Sequence, residues 1–143
     1  MKIYFSAAIS AGRSYAPIYK KMAETLTENG LTVLTEHVAD LNVLQMEKSF
    51  SATEIYNRDI RLIHDCDLLL AEISHPSTGV GYEIAYALLS DKPVIATYLS
   101  GLKVSKMITG NTQQNLYIYT YESINDLLDY LPGWIETSMS VYK

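Results

Sequence analysis

The stretch Asp67–Leu89, DLLLAEISHPSTGVGYEIAYALL, decides the fold of this protein. Its first part, residues 67–74, is an almost continuous apolar run, which is typical of a strand buried on both faces. A turn of small and polar residues follows, and residues 81–90 then have the pattern of a helix. A strand that leads through a short turn into a helix is half of a βαβ unit, and such units build parallel sheets.

The same alternation of short apolar runs and amphipathic segments extends along the whole chain. Further strands are predicted at 2–8, 31–38, 92–99 and 115–121, and further helices at 15–30, 52–64, 103–110 and 123–136. Ser51 and Glu54 have capping-box spacing, which favours a helix start at Ala52, and the last helix is expected to break near Pro132. Residues 40–50 lack periodicity and are predicted to form a loop over one end of the sheet.

These elements predict one domain, residues 1–143, in the α/β class. We expect a doubly wound, five-stranded parallel sheet with helices on both faces, of the flavodoxin- or Rossmann-like kind. The chain has 143 residues, of which 48% are hydrophobic and 19% charged, as expected for a compact domain with a full core.

Charge and cysteine content limit the function classes. The net charge of −5 argues against a nucleic-acid or anionic-membrane surface, because no basic patch is available for phosphate backbones. Cys66 is the single cysteine, which favours a reducing compartment and therefore the cytoplasm. No run approaches the roughly 18 apolar residues of a membrane span, so no membrane partner is expected.

In open α/β sheets, ligands bind where strands end and lead into helices. Glu83 lies just after such a turn, behind Gly79 and Gly81 and the hydroxyls of Ser77 and Thr78. An acid in the first helical turn is common because it complements the helix dipole, so a purely structural role for Glu83 stays open. The first turn, residues 6–14, has small residues and free backbone N–H groups that suit an anion, although a turn without ligand fits equally well.

Asp59 is the second unusual carboxylate. It shares a helical row with Ile55 and Ile63, so it points with the apolar face, where a carboxylate has to be paired, hydrogen-bonded or functional. Arg58 and Arg61 lie on other rows, so no i,i+4 ion pair is available. A polar residue at the edge of the apolar stripe is the alternative. Two carboxylates at one end of one sheet are the minimum for glycosidic chemistry.

Several segments together resemble the nucleoside 2-deoxyribosyltransferase superfamily, most closely its 2'-deoxynucleoside 5'-phosphate N-hydrolase branch. They are IYFSAAISAGR (3–13), VLTEHVAD (33–40), NRDI (57–60), DLLLAEISHPSTGVGYEIAYAL (67–88) and VSKMITG (104–110). The resemblance implies that Glu83 is the nucleophile on C1' of the deoxyribose, that Asp59 assists proton transfer around the base and water, and that Tyr4 hydrogen-bonds the nucleophile. It also implies a homodimer whose active sites are completed by the neighbouring subunit.

The choice between hydrolase and transferase depends on the phosphate. In the transferases the position matching Ser77 is usually acidic, whereas a serine can donate to a 5'-phosphate, so Ser77 favours a nucleotide. Ser105 matches the serine that reaches the phosphate across the dimer interface. The hydrolases have Ser and Arg in the first turn where this chain has Ala8 and Ser10. The expected phosphate and substrate contacts are therefore Ser10, Gly12, Arg13, Ser77, Gly79 and Ser105, with Ile9 near the 2' position.

The remaining expectations concern the base and other ligands. His37, His64 and His75 lie in separate segments without ligand spacing, so no metal or cofactor is expected, and His37 is a candidate pocket wall. Residues 40–50 are expected to cover the base with Leu44, Met46 and Phe50, although a surface loop without ligand contact fits equally well.

Several functional alternatives stay open. Within the enzyme class they are a base-exchanging deoxyribosyltransferase and an N-glycosidase of CMP-type ribonucleotides. Outside it they are a nucleotide-binding module without turnover and, last, a purely structural protein. A deoxynucleotide is the preferred small-molecule partner.

Overall fold

The computed structural model describes residues 1–9, 14–40 and 42–142. Five strands form one sheet, in which every neighbouring pair is parallel. They are β1 (Lys2–Ala7), β2 (Thr32–Val33), β3 (Leu68–Glu72), β4 (Val94–Leu99) and β5 (Leu116–Tyr121), in the spatial order β2-β1-β3-β4-β5. The predicted five-stranded, doubly wound parallel sheet is confirmed.

Helices cover both faces of the sheet, as predicted. They are α1 (Ala16–Glu28), α2 (Val43–Glu47), α3 (Ala52–Asp65), α4 (Thr78–Leu89), α5 (Lys106–Thr109) and α6 (Ile124–Tyr142), with a short 3-10 helix at Glu36–Ala39. Side chains of β3 alternate between two cores, because successive residues of a strand point to opposite faces. Leu68 and Leu70 pack with α1 and α6, whereas Leu69 and Ala71 pack with α3 and α4.

Local sequence signals set the helix ends. Ser51 and Glu54 form the predicted capping box: the Ser51 N–H donates to Glu54 Oε2 at 2.7 Å, and the Glu54 N–H donates to Ser51 Oγ at 3.2 Å. At the end of α1, Gly30 has φ +75°, a left-handed conformation that glycine adopts without a Cβ penalty.

Three element predictions were wrong in detail. The expected strand 31–38 is reduced to Thr32–Val33, followed by the 3-10 helix. The expected loop 40–50 contains α2, which is anchored by the fully buried Val43. A five-residue helix with one buried side chain is too short to produce a visible helical period, so the pattern could not predict it.

The third error concerns Pro132, which does not break α6. A proline inside a helix removes one backbone hydrogen bond and costs about 3 kcal/mol. Leu127, Leu131 and Ile135 nevertheless all pack into the core around the proline. Burial of a large apolar side chain contributes about 2 kcal/mol each, so the three contacts outweigh the loss and the helix continues.

The strand order places a binding crevice between β1 and β3. From β1 the chain winds outward to β2 on one side and to β3, β4 and β5 on the other. Helix α1 after β1 and helix α4 after β3 pack on opposite faces of the sheet, so a crevice opens at the carboxyl ends of these strands, which is where open parallel sheets bind ligands. None of the helices in the described ranges is long and apolar enough to cross a membrane.

Candidate active site

Glu83 lies in the crevice between β1 and β3, pointing toward β1 from α4. Two hydroxyl groups of β1 hold its carboxylate: Tyr4 Oη donates to Oε1 at 3.0 Å, and Ser6 Oγ donates to Oε2 at 2.5 Å. Tyr4 and Ser6 are two residues apart on one strand and so share a face. Burial raises the pKa of Tyr4 far above its usual value, with the charge of Glu83 as the next cause, so this hydroxyl stays protonated and donates.

The environment of Glu83 differs from the expected ionised acid at a helix N-terminus. Helix α4 begins at Thr78 and has no acid in its first turn, so Glu83 lies in the second turn, where the dipole effect has largely faded. Burial raises the pKa of Glu83 to about 7, while the hydrogen bonds from Ser6 and Tyr4 act in the opposite direction. Glu83 is thus poised to exchange a proton near neutral pH.

Asp59 has an ion-pair partner in the adjacent residue, a spacing that the sequence analysis, limited to i,i+4 pairs, did not consider. Arg58 Nε donates to Asp59 Oδ1 at 2.7 Å, although adjacent residues on a helix normally diverge. Arg58 Nη2 also contacts Glu47 Oε1 at 3.2 Å. The flexible arginine bends toward its neighbour because Glu47 of α2 lies on that side. All three side chains are between about a fifth and a quarter exposed, so the pairs are partly shielded from water.

A cavity of about 440 Å³ joins these groups. Its wall contains Ala7, Ile9, His37, Val38, Glu47, Ile55, Asp59, Pro76, Ser77, Thr78, Gly79, Val80 and Glu83. Both candidate catalytic carboxylates therefore face one space, together with Ile9, His37, Ser77 and Gly79 from the sequence analysis. Tyr4 is buried behind Glu83 and lies outside this lining. Burial lowers the pKa of His37, followed in size by the effect of Arg58, so its imidazole is neutral at pH 7.

Ser77 marks the start of α4 at the cavity wall. Its side chain caps the helix, because Ser77 Oγ accepts from the Val80 N–H at 3.4 Å. The long distance indicates a weak bond, which leaves the hydroxyl hydrogen able to donate to a ligand. A Cβ added at Gly79 would have Ser77 Oγ as its nearest neighbour, at 3.9 Å. The protein itself therefore has room for a side chain at residue 79, and glycine keeps that room open.

Ser105 lies apart from Glu83 in the single chain. It contributes to a second cavity of about 530 Å³ on the other side of the turn 76–80, together with Lys103, Val104, Met107 and Asn111. Ser105 Oγ caps α5 by accepting from the Met107 N–H at 3.3 Å. Within one chain the structure does not bring Ser105 to the cavity of Glu83.

Three of the predicted phosphate contacts, Ser10, Gly12 and Arg13, lie outside the described residues. The three apolar residues that were predicted to form a wall around the base also lie elsewhere. Leu44, Met46 and Phe50 are 43%, 47% and 48% exposed and do not line the 440 Å³ cavity. The same segment instead contributes Glu47 to the wall. In the short helix α2, the buried Val43 sets the rotation, and Glu47 four residues later lies on the same side.

Sequence reasoning missed Ser6, Glu47 and Arg58. Ser6 could have been found, because it follows Tyr4 at strand spacing and so shares its face. Glu47 and Arg58 had no such signal, since their pairing joins two helices across a turn. Among the described residues, no group of three or more His, Cys, Asp or Glu side chains could hold a metal ion.

Comparison with known proteins gives consistent matches. The sequence model of the family described as nucleoside 2-deoxyribosyltransferase matches residues 3–116. A protein of Thermofilum pendens, provisionally named 2'-deoxynucleoside 5'-phosphate N-hydrolase 1, is 42% identical over 143 residues and the match covers 99% of each chain. The 5-hydroxymethyl-dUMP N-hydrolase of Rattus norvegicus is 32% identical over 144 residues, covering 98% of this chain and 83% of that one.

A solved structure has the same fold. The CMP N-glycosidase BcmB of Clostridium botulinum aligns with a TM-score of 0.74, covering 94% of this chain and 99% of that chain. The two sequences are 19% identical, so this likeness concerns the fold alone.

Proposed function

The chain belongs to the nucleoside 2-deoxyribosyltransferase family, and on that premise we propose that it hydrolyses the N-glycosidic bond of 2'-deoxynucleoside 5'-monophosphates. The products are the free base and 2-deoxyribose 5-phosphate. The observation that carries the proposal is the Glu83 carboxylate, held by Tyr4 and Ser6 and facing the same cavity as Asp59. The names of the relatives support a monophosphate as substrate.

In the first step, the ionised Glu83 attacks C1' of the deoxyribose. A bond forms between a carboxylate oxygen and C1', the C1'–N bond breaks, and its electron pair leaves with the base. The base leaves with that electron pair, and a water molecule held by Asp59 hydrogen-bonds to it. The transition state resembles an oxocarbenium ion, and a sugar without a 2'-hydroxyl reaches it more easily. Tyr4 and Ser6 keep the carboxylate aligned before the attack.

In the second step, water replaces the enzyme on C1'. Asp59 accepts a proton from the water as the water oxygen bonds to C1', and passes this proton to the base, while the ester bond to Glu83 breaks. Glu83 leaves as a carboxylate, which returns the site to its starting state. Two carboxylates and one water account for every proton, so these steps require no metal ion.

The 5'-phosphate would bind at the turn that begins α4. Ser77 can donate its hydroxyl hydrogen, and Gly79 keeps room beside the backbone. Ser10, Gly12 and Arg13 complete the proposed contacts from the first turn. Ile9, in the same wall, would pack near C2' and disfavour a ribonucleotide.

We also infer a cytoplasmic homodimer, in which Ser105 of one chain reaches the phosphate in the neighbouring active site. The cavity that Ser105 lines adjoins the active site through Pro76, Ser77 and Thr78, and the nearby Met107 is 85% exposed. Mixing inactive Glu83→Ala chains with Ser105→Ala chains should restore activity above that of either variant, whereas a monomer would show only the sum.

The test of the proposed reaction is the release of base. Purified protein is incubated with dGMP, and separately with deoxyguanosine plus free adenine, and the bases are separated by chromatography. We expect guanine from dGMP, and no release by the Glu83→Ala variant. Formation of deoxyadenosine with dGMP left intact would instead establish a deoxyribosyltransferase. Release of cytosine from CMP at a higher kcat/KM than guanine from dGMP would establish a ribonucleotide N-glycosidase.

The covalent step has its own test. Rapid acid quenching during turnover of dGMP, followed by peptide mass spectrometry, should find the peptide containing Glu83 heavier by deoxyribose 5-phosphate minus one water. A quenched enzyme with no adduct, together with a product of inverted configuration at C1', would show direct attack by water instead.

A further inference from the structure

Arg58 connects helix α2 to Asp59 of α3 by two ion pairs. Its Nε donates to Asp59 of its own helix at 2.7 Å, and its Nη2 donates to Glu47 of α2 at 3.2 Å. Both carboxylates belong to the wall of the 440 Å³ cavity, whereas Arg58 lies behind them. Arg58 therefore does not line the cavity, but it contacts Glu47 and Asp59, two carboxylates that do.

The direction of the Arg58 side chain is informative. Residues i and i+1 of a helix diverge by about 100°, so an arginine free in solvent would not contact the next residue. The Arg58 side chain is directed toward α2 because only there does its guanidinium contact both Glu47 and Asp59. The position of the Asp59 carboxylate therefore depends on the position of α2.

The charges around the cavity also indicate a role for Arg58. Glu47, Asp59 and Glu83 bring three carboxylates to one wall, and the nearby His37 is neutral. Among the described residues in contact with this wall, Arg58 is the cation that offsets them. Without it, repulsion between Asp59 and Glu83 would drive the two carboxylates apart.

We propose that Arg58 is a positioning residue: it fixes the Asp59 carboxylate relative to Glu83, and it makes this alignment depend on the contact of helix α2 with the cavity through Glu47. The proposal rests on the proposed N-hydrolase function. Asp59 remains the group that acts on base and water, and Arg58 acts through it.

The kinetic test compares Arg58→Gln and Glu47→Gln with Arg61→Gln. Arg61 is an exposed arginine on the same helix and lies outside the cavity wall, so its variant is the matched control. For dGMP we expect Arg58→Gln to lower kcat by about 30-fold with KM changed by less than about threefold, since alignment is lost and substrate contacts remain. Glu47→Gln should lower kcat by about fivefold, and Arg61→Gln by less than about twofold.

A conservative variant separates positioning from charge. Arg58→Lys keeps the charge but has no planar fork to reach two carboxylates, so we expect it to recover less than about a third of the lost kcat. Full recovery by lysine would show that only the charge matters and would overturn the positioning role. Thermal unfolding of each variant is measured first, so that kcat refers to folded enzyme.

The pH dependence gives a second readout, which reports the effect of the Arg58 charge on Glu83 and so separates loss of charge from loss of alignment. The groups facing Glu83 are Tyr4 and Ser6 of β1 and Asp59 and Arg58 of α3, and the positive charge of Arg58 lowers the pKa of Glu83. Arg58→Gln should therefore move the rise of kcat to higher pH, whereas Arg61→Gln should not move it.

The outcomes distinguish the two proposals. A wild-type enzyme that releases no base from dGMP overturns the proposed function, and this inference falls with it. An active wild type with Arg58→Gln and Arg61→Gln equal in kcat and in pH profile overturns this inference and leaves the proposed function intact. Faster hydrogen exchange in Val43–Glu47 for Arg58→Gln and Glu47→Gln, but not for Arg61→Gln, is the expected sign that the link to α2 is broken.

Discussion

Glu83 and Glu72 are two carboxylates that accept hydrogen bonds from a serine and a tyrosine on opposite faces of the sheet; Glu72 is fully buried and Glu83 is half-buried. Glu83 accepts from the hydroxyls of Tyr4 and Ser6 on the face covered by α3 and α4. Glu72, at the end of β3, accepts from Ser74 Oγ and, at 2.9 Å, from Tyr121 Oη on the face covered by α1 and α6. Burial raises the pKa of both acids.

The two sites differ in access. Glu72 is fully buried and lines neither the 440 Å³ nor the 530 Å³ cavity, whereas Glu83 faces a cavity that Asp59 also lines. A raised pKa and a pair of hydroxyl donors therefore do not identify a catalytic acid by themselves. The open space beside the carboxylate, with a second acid across it, makes Glu83 the candidate nucleophile and leaves Glu72 a structural role.

The largest expected effect is on catalysis. Glu83→Gln removes the proposed nucleophile while keeping its shape, so kcat for dGMP should fall by at least about 1,000-fold. The matched variant Glu72→Gln should stay within about fivefold of the wild type. Base release from dGMP by each variant is measured by chromatography. Equal losses in the two variants would show that the comparison between an open and a sealed acid is mistaken.

The second effect is on stability, where the Glu72 variant should lose more than the Glu83 variant. Glu72→Ala leaves a cavity and removes the partner of Ser74 and Tyr121, so the free energy of unfolding should fall by about 3 kcal/mol. At pH 5, where Glu83 is largely protonated in the folded protein, Glu83→Ala should cost less than about 1 kcal/mol, because the cavity beside it admits water. Urea unfolding followed by circular dichroism measures both. A greater loss for Glu83→Ala would contradict the assignment of Glu72 as the structural acid.

The third effect is the pH dependence of stability. The pKa of Glu83 rises from 4.5 in the unfolded chain to about 7 in the native state, so keeping it ionised costs stability as pH increases between these values. The full cost of such a rise is about 3 kcal/mol, and we expect about 2 kcal/mol because Glu83 is only half-buried.

Glu83→Gln abolishes that cost. Relative to the wild type, it should be more stable by about 2 kcal/mol near pH 8 and of similar stability near pH 4. Urea unfolding at the two pH values measures the difference. The same gain at both would mean that Glu83 titrates normally in the folded protein.

The smallest effect concerns the hydroxyl donors. Activity of the wild type should rise with a midpoint near pH 7, as Glu83 becomes ionised. Tyr4→Phe removes a hydrogen bond that lowers the pKa of Glu83, so the midpoint should move to higher pH and kcat at pH 7 should fall about tenfold. Tyr121→Phe is the control, because Tyr121 donates to Glu72. A pH profile that shifts equally in both variants would contradict a specific role of Tyr4.

Much of the fold could be predicted because it follows from short-range patterns. The apolar run before Ile73, the capping box of Ser51 and Glu54, and Gly30 at the end of α1 each act within one turn or one strand. The errors arose where distant contacts dominate. Pro132 lies within α6 because the core holds the helix on both sides of it, and α2 forms around the single buried Val43.

The sequence by itself determined the alternation of strands and helices, the parallel sheet and the placement of Glu83 and Asp59 at one end of it. Periodicity and strand polarity are local properties, and these conclusions need nothing more. Tertiary structure alone decided the contact of Glu83 with Ser6 and the link from Glu47 through Arg58 to Asp59. Glu83 and Ser6 are 77 positions apart in the chain and Glu47 and Arg58 are 11 apart, so only packing brings each pair within the roughly 3 Å of a hydrogen bond.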